Sequence, residues 1–474
     1  EIEKDWRCAQ GITILENNSI NELHKDELKN ILEARTYADA ERAVFKFPRK
    51  QKDNKYTNFF RNFKSFYEKL LHYQESHLDV LANGFLSKCQ IIEIKSWQIE
   101  QAITMFNSLN STGMPLSDAD IISAHLFSHA SNKDEFKGIW EPIIQSADKL
   151  AQNKIINIDN VLQQFMYINR SKERQYSEGE LTTPGVRKYY TVLYPELLET
   201  PDTLCDKFSK ILRIWDKIQS YSIVKLMMKF NENFKLFLIS YLFRVPEDEI
   251  TENNITPILE CLLRLFALLE VGDYSYSSRY FKTFLFNENF KLVDEAYKID
   301  EILEDFNRHI SSTWKEDDVL ADLMEYDKNI LVYLNEYLYA KEHKMPFDFT
   351  PEKVNVEHIM PASGHNIESV RVNANLSKEE FEDLVNLLGN KILLEEDINK
   401  HIGMDWFQTK KGTLVQDKKG YVGSSFGIAS ALSSYPSNLW QKQDIEAANE
   451  KAATRICRFI FNKPLRDKVE NMIE

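Results

Sequence analysis

Glycine and proline are scarce: the chain has 14 and 13 of them in 474 residues. Glycine stands at under half its average usage, and both residues interrupt helices, so a helix-rich fold is predicted. Cysteine is sparse and scattered, at Cys8, Cys89, Cys205, Cys261 and Cys457, with no C-x-x-C pair. That excludes a disulfide framework and a cysteine-based zinc site, and predicts a reducing, cytoplasmic compartment. Long apolar runs are missing. The stretch Leu236–Phe243 is broken by Ser240, and Ile258–Val271 carries Glu260, Arg264 and Glu270. Neither reaches the roughly 20 apolar residues of a membrane-spanning helix, so no membrane partner is expected. No signal-peptide pattern opens the chain. It begins at Glu1 rather than Met, which predicts that an upstream piece has been removed. Positive charge is also short: 59 Lys and Arg face 73 Asp and Glu, a formal net charge of −14. Taken whole, that balance argues against nucleic acid, whose binders usually present a basic face.

What is present is an ordinary globular composition, with 43% hydrophobic and 28% charged residues. Wholesale disorder is excluded, and the length predicts two to four domains. Three textures follow one another, with no internal repeat. Residues 1–130 mix helical patterns with a strand-like run, Cys89–Ile94. An amphipathic stretch through Ile99, Ile103, Phe106 and Leu109 then ends at a Ser111–Pro115 turn. Ser117 caps the next helix, with Asp120 three residues on. Residues 131–345 read as a helical array, with apolar spacing such as Phe208, Ile211, Leu212 and Trp215. Residues 346–474 begin at a Pro346/Pro351 break. A strand over Val354–Met360 stops at Pro361. A helix is signed by Ser377, Glu380, Leu376 and Phe381, with Gly389 after its end. A second strand, Lys391–Leu394, leads into a helical stretch.

The chemistry concentrates in that last region. Residues 356–363 read V-E-H-I-M-P-A-S, followed by G-N-K-I-L-L from Gly389 and by Asn399. Hydrolysing a phosphodiester needs an activated water and charge neutralisation at the phosphate. An imidazole with a pKa near ~6.5 is the natural general base. A carboxylate and an amide carbonyl are hard oxygen ligands for Mg²⁺ or Mn²⁺. His358, Glu357 and Asn399 supply these roles. Neighbours on a strand face opposite sides, so Glu357 and His358 reach one site only if the strand ends or bends there. Asn390 and Asn399, nine apart, would oppose each other on one helix, so Asn390 is placed at the second strand and Asn399 on the helix after it.

These residues resemble the ββα-metal fold of HNH endonucleases, and the Asn390–Asn399 spacing is similar to that in the HNH domains of CRISPR effector nucleases. The resemblance implies His358 as general base, Glu357 and Asn399 as metal ligands, and Asn390 as the residue orienting the catalytic histidine. The family often has Asp where Glu357 stands. Downstream, Phe407-Gln408-Thr409-Lys410-Lys411 resembles the F-x-x-K-K tail of the nuclease domain of GmrSD-type, modification-dependent (type IV) restriction enzymes. The Trp440, Ile445 and Arg455 pattern is similar to that group as well. Upstream, Phe106–Asp120 resembles the F-x-x-L-N-x-x-G-x-x-L-x-x-x-D segment of the ParB-like GmrS half. The D-G-Q-Q-R motif of that half is missing here, so an NTP is expected only if a longer chain supplies the motif.

The expected architecture is therefore mainly α: a ParB-like α/β remnant over 1–130, a helical body over 131–345, and an HNH nuclease domain over 346–474. Between Asn399 and Gly420, five lysines face two acids, and Lys410 and Lys411 are expected to contact phosphate. The basic run Lys46–Lys55 is read as a surface loop, and His365 and His401 as solvated residues flanking the pocket. The expected function is divalent-metal-dependent endonucleolytic cleavage of DNA, base-modified phage DNA included. The oligomeric state stays open, a homodimer among the options. The competing reading is a nucleotide-gated DNA-binding regulator whose nuclease site is vestigial.

Overall fold

The computed structural model describes residues 22–44, 46, 56–72, 75–88, 101, 105, 117–172, 185–272, 278–350, 353–364, 367–412 and 420–465. The predicted strand Cys89–Ile94, the Ser111–Pro115 turn, most of the Lys46–Lys55 run and His365 lie outside them. The chain divides into two compact units, Glu1–Phe106 and Asn107–Glu474. It is mainly helical, as the shortage of glycine and proline predicts. Among the described residues no helix is long and apolar enough to cross a membrane.

In the first unit, the helices Glu22–Glu33, Tyr37–Ala43 and Asn58–Leu70 enclose a small core of Ile31, Ala40, Val44, Tyr56 and Phe60. Thr36 caps the second of these helices by accepting the Asp39 N–H at 3.2 Å.

The second unit begins with the helix Asp118–His129, whose Ser117 and Asp120 form the predicted capping box. The helix Pro201–Ile218 supplies the central spine of the body. It buries Leu204, Phe208, Ile211, Trp215 and Ile218, spaced three and four apart on one face. That face packs on the helices Lys133–Gln152 and Ile158–Arg170. Trp215 keeps its indole N–H satisfied in the core by donating to Gln164 Oε1 at 2.8 Å. The helix Glu252–Val271 is buried from Ile258 through Leu268 apart from Glu260, and packs on Ile299–Thr313. Three described cysteines, Cys205, Cys261 and Cys457, are free and buried.

After the helix Ile330–Glu342 comes the only described sheet, an antiparallel pair. Strand β1 is Val354–His358 and β2 is Lys391–Glu395. Both fall within a residue or two of the strands read from the sequence. The helix Lys378–Val385 starts at the predicted Ser377–Glu380 capping box, with Leu376 and Phe381 both buried. It stops at Asn386, earlier than Gly389 suggested.

Gly389 has a different task. It lies in the single 3-10 turn Leu388–Asn390, against which the C-terminal helix Lys442–Ile460 crosses. A Cβ at Gly389 would lie 2.3 Å from both Ile445 O and Asn449 N. Asn449 Oδ1 accepts the Gly389 N–H at 3.1 Å, and its Nδ2 donates to Met324 O at 2.8 Å. The same helix packs on Glu316–Met324, Ile330–Glu342 and Glu252–Val271. The hydrophobic core therefore runs without a break from the body into the strand pair. The sequence boundary at 346 lies inside this unit.

Because both clashing atoms are helix backbone, the site cannot relax by moving a side chain. Gly389→Ala is expected to destabilise the protein by about 3 kcal/mol, the upper end for overpacking. Urea denaturation checks this, and an unchanged midpoint would contradict the close approach.

Candidate active site

The register sets Glu357 opposite Ile392 and His358 opposite Lys391. The strand stays regular through these residues, so Glu357 and His358 project to opposite faces of the pair. Ile359 extends the ladder by donating its N–H to Asn390 O at 2.9 Å, and Pro361 follows two residues later.

Asn390 is wholly buried in the 3-10 turn. Its Oδ1 accepts the Met360 N–H at 2.8 Å, and its Nδ2 donates to Met360 O and Val385 O, both at 2.9 Å. The amide thus clamps the backbone two residues beyond His358. It was expected to orient the histidine; the bonds it makes orient the chain that leaves the histidine.

His358 is half-buried, and its Nε2 is buried with no hydrogen-bond partner among the described residues. Burial, helped by the Lys391 and Lys410 ammonium groups, pushes its pKa from 6.5 down to about 4. The ring is neutral at pH 7, the form that accepts a proton.

Glu357 lies on the other face, 6% exposed. Its Oε1 pairs with Lys410 Nζ at 2.5 Å and accepts a long bond from Tyr421 OH at 3.5 Å. Burial pushes this carboxyl up, while the Lys410 ammonium opposes the shift. Lys410, on the short helix Phe407–Lys411, is 1% exposed and also donates to His358 O at 2.8 Å. The expectation that it meets phosphate is corrected: the ammonium is spent inside the protein. Lys411, half-buried, donates its Nζ to the carbonyls of Tyr435 and Ser437.

Asn399 sits half-buried on the helix Glu396–Ile402, which packs on both strands. Asn390 and Asn399 occupy different elements, as their spacing requires. His401 is exposed on the same helix. The donor chemistry of Glu357 and Asn399, a carboxylate and an amide carbonyl on adjoining elements, suits a hard divalent cation. Among the described residues, no three His, Cys, Asp or Glu side chains are gathered to hold a metal.

Two residues escaped the sequence reading. Lys391, 3% exposed opposite His358, was legible in principle from the strand register. Tyr421 gave no signal, since it approaches Glu357 across 64 positions of chain.

Residues 4–127 match the N-terminal domain of GmrSD restriction endonucleases, and residues 296–454 match their C-terminal domain. The chain belongs to the GmrSD family of restriction endonucleases. No curated protein matches it. The GmrSD C-terminal match begins in the body and ends in the C-terminal helix, so it takes in both strands and the helices they pack on. Membership points to DNA as the substrate class.

The depressed His358 pKa has a signed consequence. Below pH 6.5 the unfolded chain takes up a proton that the folded imidazole refuses until about 4. His358 therefore costs stability as pH falls from 6.5 toward 4, and contributes no slope above that window. His358→Gln is expected to flatten this part of the stability curve. In NMR, the His358 ring signals of the unaltered protein should stay fixed from pH 8 to 5.5 and move near 4.

Proposed function

We propose that this chain is a divalent-metal-dependent, HNH-type DNA endonuclease with a ββα-metal centre, hydrolysing phosphodiester bonds in defence against phage DNA, base-modified DNA included. One observation carries the reading: an imidazole whose buried Nε2 has no hydrogen-bond partner among the described residues stands at the end of an antiparallel pair in a chain of the GmrSD family.

His358 acts as the general base, taking the proton from a water that attacks phosphorus. A base with a pKa near 4 is weak when DNA is absent. The negative phosphodiester raises that pKa when it approaches, so base strength is greatest with substrate in place. Asn390 holds the exit of β1 and keeps the ring from drifting as DNA binds. Glu357 and Asn399 would hold the cation, Mg²⁺ or Mn²⁺, but Glu357 faces away from His358 on a regular strand and is paired with Lys410, so a cation beside the histidine requires the strand end to bend and Lys410 to leave the carboxylate. When bound, the cation would supply charge neutralisation at the phosphate and the leaving oxygen. Lys410 is engaged internally, so phosphate contacts fall to other groups.

A second reading, a DNA-binding regulator with an inactive centre, draws on the Lys410 ammonium that already sits on Glu357. Plasmid cleavage separates the two. The unaltered protein is expected to nick or cut DNA in Mg²⁺ or Mn²⁺ and to stop on chelation. His358→Ala is expected to lower the rate by about 10³-fold, in the range of a lost general base. Its melting temperature at pH 8 should be little changed. Undiminished cleavage by that variant removes His358 from the mechanism, and DNA binding without cleavage by the unaltered protein favours the regulator.

A further inference from the structure

Lys410 is placed oddly for a lysine in a chain with so much exposed surface. Its ammonium is buried, and it has three acceptors from three consecutive residues: Glu357 Oε1 at 2.5 Å, His358 O at 2.8 Å and Ile359 O at 3.4 Å. A counter-ion for Glu357 alone would need only the first. The other two are the backbone carbonyls of the two consecutive peptides that follow His358.

We propose that Lys410 is a positioning residue, which fixes the Glu357 carboxylate and the backbone carbonyls of His358 and Ile359 and so aims the His358 ring. The proposal rests on the reading of this strand end as the nuclease centre.

Three further observations support it. Asn390 grips the same segment from the opposite side at Met360, so the backbone around His358 is held by two side chains from separate elements. The helix that carries Lys410 is itself anchored. Phe407 packs among Tyr421, Tyr435 and Trp440, and Lys411 ties its end to the carbonyls of Tyr435 and Ser437. The chain also closes tightly over Lys410: a Cβ on Gly420 would lie 2.5 Å from Lys410 O. An ammonium suits this place, because it is a compact charge whose three donors can diverge toward three acceptors. A guanidinium is a planar fork built for paired oxygens. A displacement of about 1 Å at a catalytic group costs about 10²-fold in rate.

The test uses the full chain. Lys410→Arg keeps a cation beside the buried carboxylate, which protects folding, but cannot reproduce the three divergent bonds. Expected is a kcat lower by about 10- to 100-fold, a KM for DNA within about threefold, and His358 ring signals that broaden or double in NMR. Lys410→Ala should show the same defect more strongly, with recovery of both kcat and a single His358 signal on adding propylammonium. Three results overturn the proposal: unchanged kcat and unchanged His358 signals in Lys410→Arg; a defect confined to KM that grows with salt, which marks a direct phosphate contact; or failure of propylammonium to restore a folded Lys410→Ala.

Should neither variant fold, the unaltered protein still decides. Its Lys410 ammonium is expected to exchange slowly and to show through-hydrogen-bond coupling to the His358 carbonyl carbon, and absence of that coupling overturns the assignment. Failure of the nuclease reading looks different. The unaltered protein would then not cut DNA, while the NMR results would still report whether Lys410 holds this segment.

Discussion

Two backbones can approach as closely as the Leu388–Asn390 turn and the C-terminal helix only where a side chain is missing. Gly389 provides that gap, and the arrangement of the candidate site depends on it. The crossing fixes the turn against Ile445 and Asn449. The turn places Asn390, and Asn390 fixes the chain that leaves β1. The strand pair is short, five residues a side, and an isolated two-stranded ribbon is marginal in water. Here it survives because Ile392, Leu393 and Leu394 are fully buried against the helical body.

Burial also governs the electrostatics. The chain is acidic overall, yet the lysines nearest the candidate centre carry little free charge outward. Lys391 donates to the carbonyls of Asp327 and Lys328, Lys410 to Glu357, and Lys411 to the carbonyls that follow its helix. Positive charge spent in this way releases few counterions from DNA. Recognition through this region then gains little from the sequence-independent attraction that dominates most nucleic-acid binders.

Much of the local structure was legible in the sequence. The strands flanking V-E-H-I-M and K-I-L-L, the capping boxes at Ser117 and Ser377, and the separation of Asn390 from Asn399 onto different elements all follow from short-range rules. Those rules act over a few residues, where propensity and spacing decide. Long-range pairings were not legible. Lys410 reads as a surface lysine because its partner lies 53 positions away. Gly389 reads as a helix stop because nothing local reveals the helix 60 positions on. Asn390 was read as the start of the second strand and lies in the 3-10 turn just before it, and its bonding depended on which backbone the fold would bring to it.

The continuous core bears on modularity. A nuclease centre with its own core can be cut out and joined elsewhere with its chemistry intact. This strand pair has no private interior: the helix beneath its turn is shared with three helices of the body. Cutting the chain at 346 would expose apolar faces on both pieces. The same sharing makes the body part of the machinery, since a small rotation of one helix against the frame is felt at Gly389, one residue from the asparagine that holds the strand end.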